Sequence, residues 1–270
     1  MAINLARQIG QLDTLWVVLR FFSNPFLVIL LRLGIIKIPL FLYRISINRK
    51  SYSMLARPAT NSMADLFVLK ELFVQQTYFE ILRHLPSRPI RFVDVGGNIG
   101  AFAVWLASHC EIREGIVFEP LGINQRILKF NLLGNGLENV SLVRAGLGGK
   151  ARTCPMTLDI KSPGGSSLYS TKAFQGEPTE LVQVFSFQEW MHSQAGLFDL
   201  LKLDCEGAEW EIIDATPPET FRRFAVIVAE VHAPLSDNVS KFKDYFDQAG
   251  FRAIRWDSRS HGVYIGIRTD

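Results

Sequence analysis

An α/β fold built on an open, mostly parallel sheet is predicted by three observations. From Ile90 onward, short β-branched runs alternate with helical patterns. The strand-like runs close on glycine or acidic turns, as in "FVDVGG", "VFEP" and "LKLDCEG". The chain ends in a hairpin-like pair, "FRAIRWD" and "HGVYIGIR". This alternation is the signature of strands joined by crossover helices.

In order along the chain, residues 1–60 form a lead-in with two apolar helical patterns, "LDTLWVVLRFF" and "FLVILLRLG", then an extended segment near Leu40–Ile47 and a turn at Pro58. The main domain, 61–270, opens with "MADLFVLKELFVQQTYFEILRHL", where Leu66, Leu69, Leu72, Phe73 and Phe79 recur at helical spacing up to the "PSRP" break. "IRFVDVGG" is the first strand of the alternating region and "AFAVWLASHC" its helix. "GIVFEP" is the second strand, followed by the helix "NQRILKFNLLGN", which stops at Gly134 and Gly136; "VSLVRAGLGG" is the third strand. "RTCPMTLDI", "SPGGSSLYS" and "ELVQVFSFQEW" read as a β excursion over 150–190. The strand "FDLLKLDCEG", the helix "AEWEIIDAT", the strand "FAVIVAEVH" and the helix "NVSKFKDYFDQAG" then resume the alternation.

Composition narrows the functional classes. The 270 residues are 48% hydrophobic, ample for a sizeable core, and the net charge of +3 forms no continuous basic stripe, so nucleic acid is not an expected partner. Three cysteines, Cys110, Cys154 and Cys205, have no metal-ligand spacing, which fits a reducing, cytoplasmic compartment. The apolar run Pro25–Tyr43 approaches the length of a spanning helix, yet Arg32 and Lys37 fall in its middle at about 2.5–3.5 kcal/mol each. A soluble pair of elements is the favoured reading; a surface-associated helix, with membrane contact through residues 15–43, and a true span stay open as the second and third.

The turn Asp94–Gly100, "DVGGNIG", follows the first alternating strand, where open α/β sheets bind their ligands. It matches a dinucleotide fingerprint only in part, with Val95 at the first glycine position. Glu119 follows Gly100 by nineteen residues, the distance at which a carboxylate accepts hydrogen bonds from ribose hydroxyls. Asp94 beside bare backbone N–H groups suits the mixed charges of S-adenosylmethionine better than a diphosphate. NAD and a capped turn without cofactor are the alternatives.

A second acidic constellation closes the fourth strand. Asp204 and Glu206 would face the same crevice, whereas Glu209 and Glu211 are expected to serve the helix dipole alone. His232, at the end of the next strand, points to the same rim, and its side chain titrates near neutrality, so it could take a proton from a hydroxyl. Asp204 with Glu230 could contribute to a divalent-metal site, although no compact ligand triad is readable.

Together "FVDVGGNIG", "VFEP", Asn131 in "LKFNLLGN", "LLKLDCEGAE" and "VAEVH" resemble the FkbM-type methyltransferase family over roughly residues 60–235, and "KELFVQQTY" is similar to its E-x-F…Y segment. The resemblance implies a class I methyltransferase Rossmann-like fold: a seven-stranded, mostly parallel sheet with helices on both faces, an antiparallel last strand and an N-terminal helical extension. It implies that Asp94, Gly96, Gly97, Asn98 and Gly100 line the methionine side of S-adenosylmethionine and that Glu119, with Pro120 beside it, binds the ribose. Asn131 and Ala145 would flank the adenine, and Asp204 and Glu206 would border the transfer site. "RAGLGG" departs from the pattern in lacking a side chain for the adenine amine. The implied reaction is O-methylation of a sugar, glycan, glycolipid or related natural product, with His232, Asp204 or Glu206 as the base. The competing expectation is a silent module of the same fold acting at a membrane surface or as a scaffold.

Overall fold

The computed structural model describes residues 23–33, 35–47, 49–58, 64–157, 179–232, 240–257 and 261–269. The patterns "LDTLWVVLRFF" and "SPGGSSLYS" lie outside them.

The apolar run Pro25–Tyr43 resolves into two elements, as the charge and proline breaks suggested. Helix α1 (Pro25–Arg32) begins on a proline, whose missing N–H is harmless in a first turn. Strand β1 (Phe41–Ile47) then pairs antiparallel with β2 (Lys50–Ala56). The eight residues of α1 span about 12 Å against a bilayer core of about 30 Å. Among the described residues no helix is long and apolar enough to cross a membrane. Tyr43, Ile45, Tyr52 and Met54 alternate along the hairpin and enter the same apolar cluster as Phe92 and Trp105. The described part of the lead-in thus shares a core with the main domain.

The single helix expected over residues 63–85 is broken. Helix α2 (Ala64–Lys70) runs into a π-helical turn, Glu71–Gln75, which ends at Gln76 in the left-handed region (φ 52°). A 3₁₀ turn, Phe79–His84, follows. The break puts Tyr78 in the core and leaves Phe79 exposed, and Arg255 Nη1 donates to Thr77 O across the kink (2.9 Å).

Strand β3 (Ile90–Val95), helix α3 (Ala101–Ala107), strand β4 (Ile112–Phe118), helix α4 (Gly122–Gly134) and strand β5 (Val140–Val143) build one half of the main sheet. The expected third strand then divides: β6 (Gly146–Gly148) leaves it and joins β7 (Arg152–Thr157) and β8 (Thr179–Ser186) in a small sheet, order β6-β8-β7. The excursion ends in a helix that the β reading missed, α5 (Phe187–Ser193), capped by Ser186 Oγ accepting from the Glu189 N–H. Strand β9 (Phe198–Leu203), helix α6 (Ala208–Ala215), strand β10 (Phe224–His232), helix α7 (Ser240–Gln248) and strands β11 (Phe251–Trp256) and β12 (His261–Arg268) complete the fold.

The seven strands lie in the order β11-β12-β10-β9-β3-β4-β5, with β12 antiparallel to both neighbours and the others parallel. This is the class I methyltransferase arrangement. Successive residues feed opposite cores: Phe92, Leu200 and Val228 one face, Val93, Leu201 and Ile227 the other. Because β4 and β5 extend to one side of β3 while β9 and β10 lie on the other, the strand order reverses between β3 and β9. A crevice opens there at the carboxyl ends of the strands.

Candidate active site

The β3–α3 turn and the tip of β9 meet so closely that only glycine fits. Gly96 has φ +87°, and a Cβ there would lie 1.8 Å from Asp204 O; at Gly97 a Cβ would lie 2.1 Å from Val117 Cγ1. The N–H groups of both glycines donate to Phe118 O (3.0 and 2.9 Å). These residues therefore shape the crevice by lacking side chains, and their N–H groups are spent within the fold.

The turn's acceptors are different. Asp94 is fully buried, and neither of its carboxylate oxygens has a hydrogen-bond partner among the described residues; Asn98 Oδ1 is likewise unpartnered. Burial, and secondarily Asp204, push the Asp94 carboxyl up, while Lys202 Nζ at 3.5 Å from Oδ1 pulls it down. Among the described residues Asp94 thus has only the long Lys202 contact, and Asn98 Oδ1 has no donor; buried acceptors so poorly supplied are costly. They fit a ligand that brings an ammonium or hydroxyl groups, and not a diphosphate, which brings further acceptors. S-adenosylmethionine, with an α-ammonium and ribose hydroxyls, meets that requirement.

Glu119, at the end of β4, is buried with three donors: Asn98 N to Oε2 (2.8 Å), and Leu121 N (2.9 Å) and Asn124 Nδ2 (3.3 Å) to Oε1. Burial still pushes its carboxyl up to about 7. Arg57 extends the network, donating from Nη1 to Asn124 Oδ1 (2.9 Å) and pairing with buried Asp65 (2.8 Å). The end of the lead-in hairpin and the start of α2 thereby close over the Glu119 end of the crevice. Pro120 adjoins the β5–β6 turn, since a Cβ on Gly146 would lie 3.9 Å from its ring, and fully buried Ala145 donates its N–H to Val143 O.

Asn131 takes another place than expected. It is fully buried; Oδ1 accepts from Leu55 N (2.6 Å), and Nδ2 donates to Leu55 O (2.9 Å) and Ile99 O (2.7 Å). One turn on, Asn135 repeats the pattern with Ser53 N and O (2.9 and 2.8 Å). The two carboxamides pair with β2 as a strand would, so Asn131 fastens the lead-in beneath the glycine turn, with both of its N–H donors used there.

Lys202 is the main residue that the sequence reading missed. Its Nζ lies 2.8 Å from Asp204 Oδ2, between that residue and Asp94. Burial favours its neutral form, yet Asp204 and Asp94 outweigh burial and hold it well above the ordinary lysine value. The signal was a lone lysine in an otherwise apolar strand, "FDLLKL".

The β9–α6 turn carries Glu206 at φ 55°. Glu209, expected to serve only the helix dipole, is fully buried and accepts from Cys205 N (2.6 Å), Gly207 N (2.8 Å) and His232 Nδ1 (3.3 Å). It thus fixes both the turn and the histidine ring, whose Nε2 faces Glu206 Oε2 at 3.4 Å. Glu211 likewise does more than serve the dipole, since it pairs with Arg152 (2.8 Å) and accepts from Gly149 N, tying the β excursion to α6.

Acids outnumber bases in this corner. Burial pushes Glu206 up to about 7, although His232 opposes it. Asp204, reinforced by burial, pushes Glu230 up to about 8. Glu71, brought to the crevice by the π-helical turn, is raised by burial and by Asp204. Burial would lower His232, but the hydrogen bond and charge of Glu209, with Glu206 and Asp204, push it up to about 10. The ring is therefore cationic at neutral pH, so Glu206 suits proton acceptance there better than the expected His232. One ligand atom each from Asp204, Glu206 and His232 lie within 4.8 Å of one another, a compact donor set that could receive a divalent ion.

Comparison with known proteins identifies a family and several similar chains. The Methyltransferase FkbM domain model matches residues 94–253, more than half of the chain. Methyltransferase sdnD of Sordaria araneosa is 27% identical over 205 residues, covering 65% of this chain and 78% of that protein. Methyltransferase 1 of Beauveria bassiana (strain ARSEF 2860) is 24% identical over 198 residues, covering 67% and 78%. Among solved structures, methyltransferase FkbM from Methylobacillus flagellatus KT aligns with a TM-score of 0.46 at 13% identity, covering 74% of this chain and 53% of that one. Precorrin-6y C5,15-methyltransferase from Geobacter metallireducens GS-15 aligns with a TM-score of 0.42 at 15% identity, covering 74% and 92%.

Proposed function

Since the chain belongs to the FkbM methyltransferase family and is an S-adenosylmethionine-dependent methyltransferase, we propose that its acceptor is a hydroxyl on a sugar, glycan, glycolipid or related natural product. The observation that carries this reading is Glu206, a partly exposed carboxylate raised to about 7 at the rim of the cofactor crevice. An alcohol must lose a proton on methylation, and a base titrating near the working pH is the most effective one.

In this reading Asp94 and Asn98 Oδ1 hold the amino-acid group of the cofactor and Glu119 its ribose. Bound S-adenosylmethionine supplies a methyl group already activated on a sulfonium. The chain then contributes mainly alignment, which can supply roughly 7–11 kcal/mol. Glu206 accepts the hydroxyl proton. His232, held by Glu209, keeps that carboxylate in place, and Asp204, anchored by Lys202, borders the acceptor. Glu206→Gln should lower kcat by about 10²–10⁴ and leave cofactor affinity within a few-fold. Unchanged turnover would remove Glu206 from the role.

The compact set Asp204, Glu206 and His232 favours a second reading, in which these residues, with His232 neutral, would hold a divalent ion that acidifies the acceptor hydroxyl so that its proton passes to water. Activity abolished by chelation and restored by Mg²⁺ would select it. A silent scaffold is the third reading; absence of cofactor binding in millimolar titration calorimetry would select that one.

A further inference from the structure

The lead-in and the remainder of the chain differ sharply in charge. Between Asp13 and Asp65 there is no acidic residue, but there are seven basic ones: Arg20, Arg32, Lys37, Arg44, Arg49, Lys50 and Arg57. Residues 65–270 carry 21 basic against 25 acidic side chains. The modest overall charge therefore conceals a basic lead-in on an acidic domain.

The described part of the lead-in is also apolar where it meets solvent. Val28 and Leu31 turn α1 toward the interior, whereas Phe26, one helical face away, is 70% exposed, and Leu33, in register with it seven residues on, is 66% exposed. Leu27, Ile35 and Leu40 are also exposed. Arg57 is consumed by Asp65, but Lys37, Arg44, Arg49 and Lys50 are exposed and have no acidic partner among the described residues.

From this pairing of an outward apolar face with unneutralised basic residues we propose that the lead-in docks on an anionic phospholipid bilayer, with α1 lying in the interface. Charge complementarity selects this occupant. An apolar protein partner would explain the leucines and phenylalanine but not the absence of acids over fifty residues, whereas bilayer surfaces reward both features together. Among the described residues, α1 is short and is followed by a strand hairpin, a geometry suited to lying along a surface. Because the hairpin closes over the Glu119 end of the crevice through Arg57 and Asp65, docking would hold the active site close to the membrane plane. Charge and exposure alone drive this docking, whatever the identity of the methyl acceptor.

Flotation of the full chain with phosphatidylcholine vesicles, with and without 30% phosphatidylglycerol (a composition of about one anionic lipid in three), tests it. Binding is expected to the anionic vesicles and to weaken with salt. Lys37→Ala with Lys50→Ala should lower partitioning about thirtyfold, and Phe26→Ser with Leu33→Ser should abolish it. Titration calorimetry with S-adenosylmethionine should be unchanged in both variants, which separates lost docking from lost folding. Equal binding to neutral and anionic vesicles, or partitioning indifferent to the substitutions, would overturn the proposal. So would a stable dimer that the Phe26 and Leu33 substitutions dissociate, since a second copy would then be the occupant.

Discussion

Replacing Glu119 by glutamine should separate stability from cofactor binding. The buried carboxyl is pushed from its ordinary 4.5 up to about 7, so between those values the folded cofactor-free protein retains a proton that the unfolded chain has released. Raising the pH through that window therefore favours unfolding. Below 4.5 the group contributes no difference, and above 7 its full penalty is present. A displacement of about 2.5 pH units at about 1.36 kcal/mol each gives about 3 kcal/mol. Glutamine cannot ionise, so the Glu119→Gln variant should lack this slope. In urea unfolding without cofactor, the stability difference should move by about 3 kcal/mol in favour of the variant between pH 4.5 and 7.5. The same change leaves one acceptor oxygen where the carboxylate offers two, so S-adenosylmethionine affinity should fall about tenfold or more. Parallel stability curves for the two proteins, or undiminished cofactor affinity in the variant, would refute the assignment of Glu119 as a strained ribose acceptor.

Three further outcomes are expected. Asn131→Leu leaves Leu55 N–H, Leu55 O and Ile99 O without their partner and should cost about 3 kcal/mol in urea unfolding, while cofactor affinity at low temperature stays within about twofold; a selective loss of affinity would return Asn131 to the adenine site. Lys202→Met strips Asp94 and Asp204 of their shared cation and should destabilise by about 3–5 kcal/mol at neutral pH, with recovery on acidification as buried Asp94 takes up a proton; a pH-independent loss would contradict the pairing. Gly96→Ala places a Cβ against Asp204 O at a positive φ, which should cost at least about 1–3 kcal/mol in backbone strain alone and eliminate cofactor binding by calorimetry.

The parts of this fold that were legible in the sequence are those set by local chemistry. "FVDVGGNIG" announced a strand, a tight turn and a helix because Gly96 and Gly100 sit at positive φ, which few other residues tolerate. The acids at 94, 119, 204 and 206 were readable because strand ends in this topology converge on one crevice. What escaped depended on contacts between distant segments. The periodicity of residues 63–85 gave no sign that Gln76 would turn left-handed to bury Tyr78, because that choice is made by the core and by Arg255. Asn131 suggested a ligand contact because nothing in "LKFNLLGN" reveals a strand edge alongside it. Glu209 looked like a dipole residue because its partner His232 is contributed by another strand.

The carboxamides of Asn131 and Asn135 have a consequence beyond fastening the lead-in. An outer strand with free N–H and C=O groups is a template on which a second chain can add a strand of its own. On one side of the hairpin those groups are met at Ser53 and Leu55 by the two asparagines. On the other, Ser23 N donates to Arg44 O and Asn24 Nδ2 to Leu42 O. With these outward groups on both rims met from within, the hairpin offers a second chain fewer backbone partners for strand addition.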